Sequence, residues 1–272
     1  MALPTPSDTS TALVTGASSG IGEAFARGLA ERGHGLTLVA RRADRLEKLA
    51  ADLRNEHGVR VEVVPADLTD PAARDQMAEA IEGNGLAVEV LVNNAGFGIY
   101  NPLHASDRDR ELEQLRILVE APVDLTARYL PGMLERGRGA IVNISSVSAF
   151  QALPGNGTYA AAKSYVLMHS EALREEVRDR GVTVTAVCPG PVTSEFTETS
   201  EPLFAHDVPK LLWVSPERVA KDGLAGVERG RRKVIPGNLL VRATWAPPRV
   251  IPAPITLAVT RRVMRGELKR GA

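Results

Sequence analysis

Residues 146–163 read SVSAFQALPGNGTYAAAK, and the rest of the chain can be interpreted around this stretch. Tyr159 and Lys163 lie four residues apart, a spacing that places both side chains on one face of a helix. The alanines between them favour a helix, and the glycines before them indicate that it begins near Thr158. The apolar run 140–144 predicts a strand that ends just before Ser146.

This combination of side chains suits proton transfer. An ammonium beside a phenol stabilises the phenolate, so we expect Lys163 to lower the pKa of Tyr159 from its ordinary value of about 10. The phenol could then exchange a proton near neutral pH, with the Ser146 hydroxyl close by. The alternative is that Tyr159 and Lys163 are ordinary members of a helix surface, because this pairing is common.

A glycine-rich turn follows the first predicted strand. The apolar run 11–15 leads into Gly16-Ala-Ser-Ser-Gly20-Ile-Gly22, and an amphipathic segment follows over 23–32. Strand, glycine turn and helix together allow backbone N–H groups to approach a pyrophosphate closely. The spacing is G-x-x-x-G-x-G rather than G-x-G-x-x-G, so a plain glycine turn remains an alternative.

The end of the second predicted strand, 35–40, indicates which dinucleotide is bound. Arg41 and Arg42 follow it, with no carboxylate to bind a ribose 2′-hydroxyl. An arginine here would pair with a 2′-phosphate, which predicts NADP(H) rather than NAD(H). The alternative is that the two arginines begin a solvated helix.

Further strands are predicted at 59–65, 88–92, 140–144, 182–187 and 233–237, and helical segments separate most of them. This alternation predicts a parallel sheet covered on both faces. Asp67 and the Asn93-Asn94 pair follow strand ends, where ligands bind in such sheets. Pro122 and Pro131 are expected to kink or divide a long helical region over 107–136.

Together these motifs resemble the short-chain dehydrogenase/reductase family over about residues 10–240. The motifs are Thr15-Gly-Ala-Ser-Ser-Gly-Ile-Gly22, Asn93-Asn-Ala-Gly96, Ser146, Tyr159-Ala-Ala-Ala-Lys163 and Pro189-Gly-Pro-Val-Thr193. Ser146 precedes Tyr159 by 13 residues, the interval usual in the family. The resemblance implies an α/β fold: a single Rossmann-like, doubly wound domain over 11–240. Its seven-stranded, mostly parallel sheet would have the order 3-2-1-4-5-6-7, with helices on both faces.

The resemblance also implies an NADP(H)-dependent oxidoreductase that interconverts a carbonyl and an alcohol. Tyr159 would be the general acid/base, Lys163 would lower its pKa, and Ser146 would hold the substrate oxygen. The expected cofactor-binding residues are Gly16, Ser18, Ser19, Gly20, Ile21, Gly22, Arg41, Arg42, Asp67, Leu68, Asn93, Ala95, Gly96, Tyr159, Lys163, Pro189, Gly190, Val192 and Thr193. An apolar substrate is expected, beneath a flap over 194–214, in a pocket of Phe97, Ile99, Phe150, Leu153 and Phe196.

One position departs from the family pattern. Leu118 stands where family members usually carry an asparagine that helps to hold a proton-relaying water, and leucine cannot form hydrogen bonds. This difference motivates an alternative function, a dinucleotide-binding regulatory or scaffold protein with weak or no turnover.

Composition excludes several classes of partner. The chain has 272 residues with 33 basic and 33 acidic side chains, which does not favour binding to nucleic acid. The single cysteine, Cys188, cannot form an intrachain disulfide, and the N-terminus lacks a signal-peptide pattern. We therefore expect a cytoplasmic protein with a disordered leader over 1–10. No apolar run is long enough to span a membrane.

The segment 241–272 is expected to be a tail. Its residues 247–265 alternate apolar side chains, prolines and arginines, which suits packing on the domain, an oligomer contact or adhesion to a membrane surface. The family resemblance implies a homodimer or homotetramer.

Overall fold

The computed structural model describes residues 3–193, 209–245, 254, 255, 257 and 258. In these residues a seven-stranded sheet has the order β3-β2-β1-β4-β5-β6-β7, which confirms the predicted order, and every neighbouring pair is parallel. The strands are β1 (Ser10–Thr15), β2 (Leu36–Ala40), β3 (Val61–Pro65), β4 (Ala87–Asn93), β5 (Gly139–Ile144), β6 (Val182–Val187) and β7 (Lys233–Val234).

Eight α-helices with defined ends lie in the described part of the chain. They are α1 (Gly20–Ala30), α2 (Ala43–His57), α3 (Pro71–Gly83), α4 (Arg108–Leu115), α5 (Ala121–Arg136), α6 (Gly157–Glu176), α7 (Pro216–Glu228) and α8 (Leu239–Trp245). Of these, α3, α4 and α7 begin at residues whose side chains cap them. The Asp70 side chain accepts a hydrogen bond from the Ala72 N–H at the start of α3, and Ser215 caps α7 in the same way. None of the helices in the described part of the chain is long and apolar enough to cross a membrane.

The sheet separates two apolar layers. Alternate residues of β1 point to opposite sides, so Val14 packs with Phe25 and Leu224 while Leu13 packs with Met77. All six residues of β1 are buried, as expected for a central parallel strand covered by helices on both faces. Burial on both sides fixes the positions of the strand ends, where the functional residues lie.

The predicted long helix is continuous but locally widened. A π-helical turn, Arg116–Glu120, joins α4 to α5, and the Ala121 N–H donates to the carbonyl of Arg116. Pro122 has no N–H to donate to the carbonyl of Leu118 four residues earlier, so a regular α-helical bond is unavailable there. Pro131 lies within α5 without dividing it.

The N-terminal segment differs from the prediction. Pro4 is buried, Leu3 packs against the core, and the Thr9 carbonyl accepts a 2.9 Å hydrogen bond from the Ala87 N–H. Residues 3–9 therefore lie against the domain, with Thr5, Asp8 and Thr9 exposed, and differ from the predicted disordered leader.

The flap predicted over 194–214 lies largely outside the described residues. Its described end contains a 3-10 turn, Lys210–Leu212, and Val214 forms a parallel bridge with Val192. The tail predicted over 241–272 is described only as far as the end of α8 and at four later positions.

Candidate active site

A cleft of about 570 Å³ lies across the carboxyl ends of β1 to β6. This is the edge of an open parallel sheet at which ligands bind. Most of the predicted site residues line it: Gly16, Ser18, Ser19, Gly20, Ile21, Arg41, Arg42, Asp67, Leu68, Ala95, Gly96, Phe97, Ser146, Leu153, Tyr159, Lys163, Pro189, Gly190 and Val192. Residues distant in sequence thus meet in a single site.

Gly22 and Asn93, both predicted to bind cofactor, do not line the cleft. A Cβ on Gly22 would lie 2.2 Å from the Gly16 carbonyl oxygen, so this glycine permits the turn to pack on itself. The Asn93 amide is buried and donates to Asn143 Oδ1 at 2.8 Å. Both residues support the cleft from beneath.

Three predicted residues lie elsewhere, and one cannot be placed. Phe150 packs in a separate apolar cluster with Lys233 Nζ 5.0 Å from its ring centroid, because the 3-10 turn Val147–Phe150 directs it away from the cleft. Ile99 lines a neighbouring cavity, and Thr193 is exposed outside the cleft. Phe196 lies outside the described residues.

The glycine turn is fastened to the loop after β4. Asn94 Nδ2 donates to the Thr15 carbonyl at 2.9 Å, and Thr15 Oγ1 accepts from the N–H groups of Asn94 and Ala95. Gly16 has a positive φ of 66°, and a Cβ there would meet Asn94 at 2.8 Å. The turn therefore presents the N-terminus of α1 to the cleft without intervening side chains.

Two arginines form the basic end of the cleft. Arg42 donates to Ser18 Oγ at 3.0 Å and to Ser19 Oγ at 2.9 Å, so it holds the serines of the glycine turn. Arg41 is exposed and lies near Asp67. Burial alone would raise the pKa of Asp67, but hydrogen bonds from Thr69 and the charge of Arg41 hold it below its ordinary value. The region can receive an anion beside Arg41.

Ser146, Tyr159 and Lys163 meet in the cleft. The Ser146 side chain hydrogen-bonds to Tyr159, and Lys163 Nζ donates to the Ile144 carbonyl at 2.7 Å. The same Nζ lies 5.7 Å from the centroid of the Tyr159 ring. Tyr159 and Lys163 are 7% and 6% exposed, so desolvation dominates the chemistry of both.

The predicted lowering of the Tyr159 pKa is wrong for the protein alone. Burial raises the pKa of Tyr159, neighbouring Tyr100 raises it further, and the Ser146 hydrogen bond opposes both. Burial also lowers the pKa of Lys163 to about 8, against a smaller opposing influence of Cys188. Tyr159 is therefore a neutral phenol at neutral pH, the form that can donate a proton.

Leu118 has a packing role at the position that departs from the family pattern. Its side chain is 1% exposed, and a Cβ on Gly96 would lie 2.4 Å from Leu118 Cδ2. The leucine therefore fills the space beside Gly96 with apolar atoms. It offers no hydrogen bond to a water or to Lys163.

Tyr100, Arg110 and Glu113 are among the cleft residues that the sequence-based prediction missed. Tyr100 lies with its ring centroid 6.4 Å from that of Tyr159. Arg110 stacks over Phe97 at 4.5 Å and pairs with Glu113 at 2.5 Å. Tyr100 follows β4 closely enough to have been a candidate, whereas helix periodicity gave no signal for Arg110 or Glu113.

The fold and the cleft define the class of the protein as one with a Rossmann-like domain and an open cleft at the carboxyl ends of its strands. The family model described as short chain dehydrogenase matches residues 10–203, and the chain belongs to that family.

Curated relatives differ in how much of the chain they share. A very-long-chain 3-oxoacyl-CoA reductase of Anas platyrhynchos is 33% identical over 205 residues, covering 73% of this chain and 65% of the duck protein. The chain thus spans slightly less than two thirds of that relative's length. An uncharacterized oxidoreductase of Myxococcus xanthus (strain DK1622) is 33% identical over 259 residues, covering 93% of this chain and 97% of the relative.

Solved structures show the same fold over nearly the whole chain. A short-chain dehydrogenase from Sphingobium yanoikuyae in complex with NADPH has a TM-score of 0.78 at 32% identity, covering 95% of this chain and 96% of that one. The bulky-bulky ketone specific alcohol dehydrogenase from Comamonas testosteroni has a TM-score of 0.75 at 30% identity, covering 96% and 95%.

Proposed function

We propose that the protein is an NADP(H)-dependent oxidoreductase that interconverts a carbonyl and an alcohol on an apolar substrate. The observation that carries the proposal is the position of Ser146, Tyr159 and Lys163, which line the same cleft as the glycine turn. Proton-transfer groups thus share one site with a dinucleotide-binding motif. The similar Sphingobium yanoikuyae enzyme in complex with NADPH supports the choice of cofactor.

The residues present fit NADP(H). The glycine turn leaves backbone N–H groups at the start of α1 open to a pyrophosphate, and Ser18 and Ser19 add hydroxyls held by Arg42. Arg41 lines the cleft just after β2, a strand end that no carboxylate directly follows in the sequence, and it would pair with a 2′-phosphate. When bound, the cofactor supplies or accepts the hydride.

The chain's own groups would hold the substrate oxygen and move the proton. Ser146 would donate a hydrogen bond to the oxygen, and the neutral Tyr159 phenol would give its proton to that oxygen during reduction. The Lys163 ammonium would stabilise the phenolate left behind, because a buried negative charge needs a nearby cation. In the reverse direction the phenolate would accept the proton of the alcohol.

An apolar substrate suits the remaining walls of the cleft. Phe97, Ile117, Val147, Leu153 and Trp213 all line it. Similar proteins support the same choice, since they include a very-long-chain 3-oxoacyl-CoA reductase and a bulky-bulky ketone specific alcohol dehydrogenase.

Consumption of NADPH in the presence of bulky ketones and 3-oxoacyl thioesters tests the proposal. We expect turnover of at least one compound, faster with NADPH than with NADH. Tight binding of NADPH without turnover of any compound would favour the alternative, a dinucleotide-binding regulatory or scaffold protein. Leu118 favours that alternative because it cannot hold a proton-relaying water.

We also propose a homodimer or homotetramer in the cytoplasm. Exposed apolar side chains on α4 and α6, among them Leu112, Leu115, Tyr165 and Met168, support an interface between copies of the chain. Light scattering after size-exclusion chromatography should give a mass of two or four chains.

A further inference from the structure

A second cavity, of about 230 Å³, adjoins the cleft. It lies between the loop after β4, the helix α4 and the loop that precedes α6. Ile99, Leu103 and Leu153 give it apolar walls, while Glu111 and Asn156 add polar groups. Neither polar residue has a role in the proposed reaction.

Both polar side chains are buried without full hydrogen bonding. Glu111 is 8% exposed, and its buried Oε2 has no hydrogen-bond partner among the residues that the structure describes. Asn156 is 2% exposed, and its amide interacts with the Tyr100 side chain, which opposes the rise that burial causes in the pKa of that tyrosine. The remaining hydrogen-bonding capacity of the amide is unused among the described residues. Buried polar atoms are nearly always paired, so a cavity with unpaired acceptors calls for a donor.

The neighbouring charges do not neutralise Glu111. In the described part of the chain it forms no ion pair, because the adjacent Arg110 pairs with Glu113 and stacks over Phe97. A buried carboxylate gains most from a ligand that donates a hydrogen bond or carries a positive charge.

The cavity continues the substrate side of the cleft. Leu153 lines both spaces. Tyr100 lies in the cleft beside Tyr159 and approaches Asn156, which precedes α6. A substrate whose carbonyl lies at Tyr159 could therefore extend past Tyr100 and Leu153 into the second cavity.

We infer that Glu111 and Asn156 form a subsite for a hydrogen-bond donor, a hydroxyl or ammonium group, at the distal end of an otherwise apolar carbonyl substrate. The inference rests on the proposed function, because it assigns one end of the substrate of that same cleft. It gives the buried Glu111 carboxylate the partner that the described residues do not provide.

A matched series of ketones tests the subsite. Each linear ketone with a terminal methyl group is compared, over several chain lengths, with partners in which a hydroxyl or ammonium group replaces that methyl. At the best-fitting length we expect kcat/KM for a donor-bearing ketone to exceed that of its methyl partner about tenfold. Glu111→Leu should abolish this preference.

Two further variants separate the role of Glu111 from general effects. Asp109→Leu removes an 86% exposed carboxylate from the same helix and should leave the preference intact. Glu111→Gln, an isosteric change that serves if the leucine variant does not fold, should lose the preference for ammonium and keep a preference for hydroxyl.

The outcomes separate the subsite from the proposed function. Two results would overturn the subsite and leave the proposed function standing. One is turnover of the methyl ketones with no preference for a donor-bearing partner at any chain length. The other is an equal preference in Glu111→Leu and Asp109→Leu. If no ketone is turned over, calorimetric measurement of the affinity for the same compounds still tests the subsite. The subsite is supported if the donor-bearing compound binds about tenfold more tightly than its methyl partner and loses this advantage in Glu111→Leu. Equal affinities of the two compounds would refute it.

Discussion

Replacing Lys163 by methionine should remove a pH-dependent penalty on folding. Lys163 is 6% exposed, and burial lowers its pKa from 10.5 to about 8. At about 1.4 kcal/mol for each factor of ten in proton affinity, this difference means that holding the charged ammonium in the fold costs about 3 kcal/mol. Methionine has a similar length and no charge to desolvate.

The sign of the pH dependence follows from proton binding. Between pH 8 and 10.5 the unfolded chain keeps the Lys163 proton while the folded protein releases it, so the free energy of unfolding rises with pH in this window. Below about pH 8 both states are protonated and this contribution is flat. Wild type should therefore gain about 3 kcal/mol relative to Lys163→Met between these limits.

Urea unfolding followed by circular dichroism, from pH 7 to 10.5 on protein without added cofactor, measures this difference. The lost hydrogen bond from Lys163 to the Ile144 carbonyl shifts the difference equally at every pH, so its slope isolates the titration. Lys48→Met, at an exposed position on α2, serves as the control and should show no slope. A difference between wild type and Lys163→Met that stays constant with pH would refute the reasoning.

Four further substitutions test the cofactor site and its support. Arg41→Asp should weaken the binding of NADPH about tenfold more than the binding of NADH in fluorescence titrations. Equal losses of affinity would show that Arg41 does not contact the 2′-phosphate. Gly96→Ala should lower the free energy of unfolding by about 1–3 kcal/mol, because the added methyl would meet Leu118 Cδ2 at 2.4 Å. Leu118→Ala should lower the free energy of unfolding less in the Gly96→Ala variant than in wild type. Additive losses in urea unfolding would contradict the contact between the added methyl and Leu118. Arg74→Met should lower the free energy of unfolding by about 1–3 kcal/mol, because Arg74 is buried and donates to the Leu68 carbonyl at 2.8 Å. An unchanged midpoint of thermal unfolding would show that Arg74 does not stabilise the fold.

The fold could be predicted because its signals are local and repeated. Apolar runs alternate with helical segments, and the order of the family motifs supplied the sheet topology. The packing of residues 3–9 could not be predicted, since it depends on a hydrogen bond to Ala87 from a distant part of the chain. The π turn Arg116–Glu120 was also missed, because Pro122 indicates an irregular helix but not its form.

The site could be predicted where sequence spacing fixes the relative positions of side chains. It could not be predicted where burial or neighbours distant in sequence determine a side chain's direction or its pKa. The interval between Tyr159 and Lys163 placed both on one face of α6 and in one cleft. The predicted direction of the Tyr159 pKa shift was wrong because burial raises this pKa and the Ser146 hydrogen bond only opposes it, and sequence does not give burial. Phe150 was wrongly assigned to the substrate pocket, because the sequence does not show in which apolar cluster a side chain is buried. Glu111 was not predicted, because the walls of its cavity come from separate segments of the chain.

The central claim is that the Tyr159 hydroxyl gives the proton in an NADPH-dependent reduction. Single-turnover reduction of a bulky ketone by Tyr159→Phe, with the affinity for NADPH measured in parallel, tests it most directly. We expect the rate to fall by about 10²- to 10⁴-fold while the Kd for NADPH stays within about twofold of wild type. A rate within a few-fold of wild type would contradict the claim.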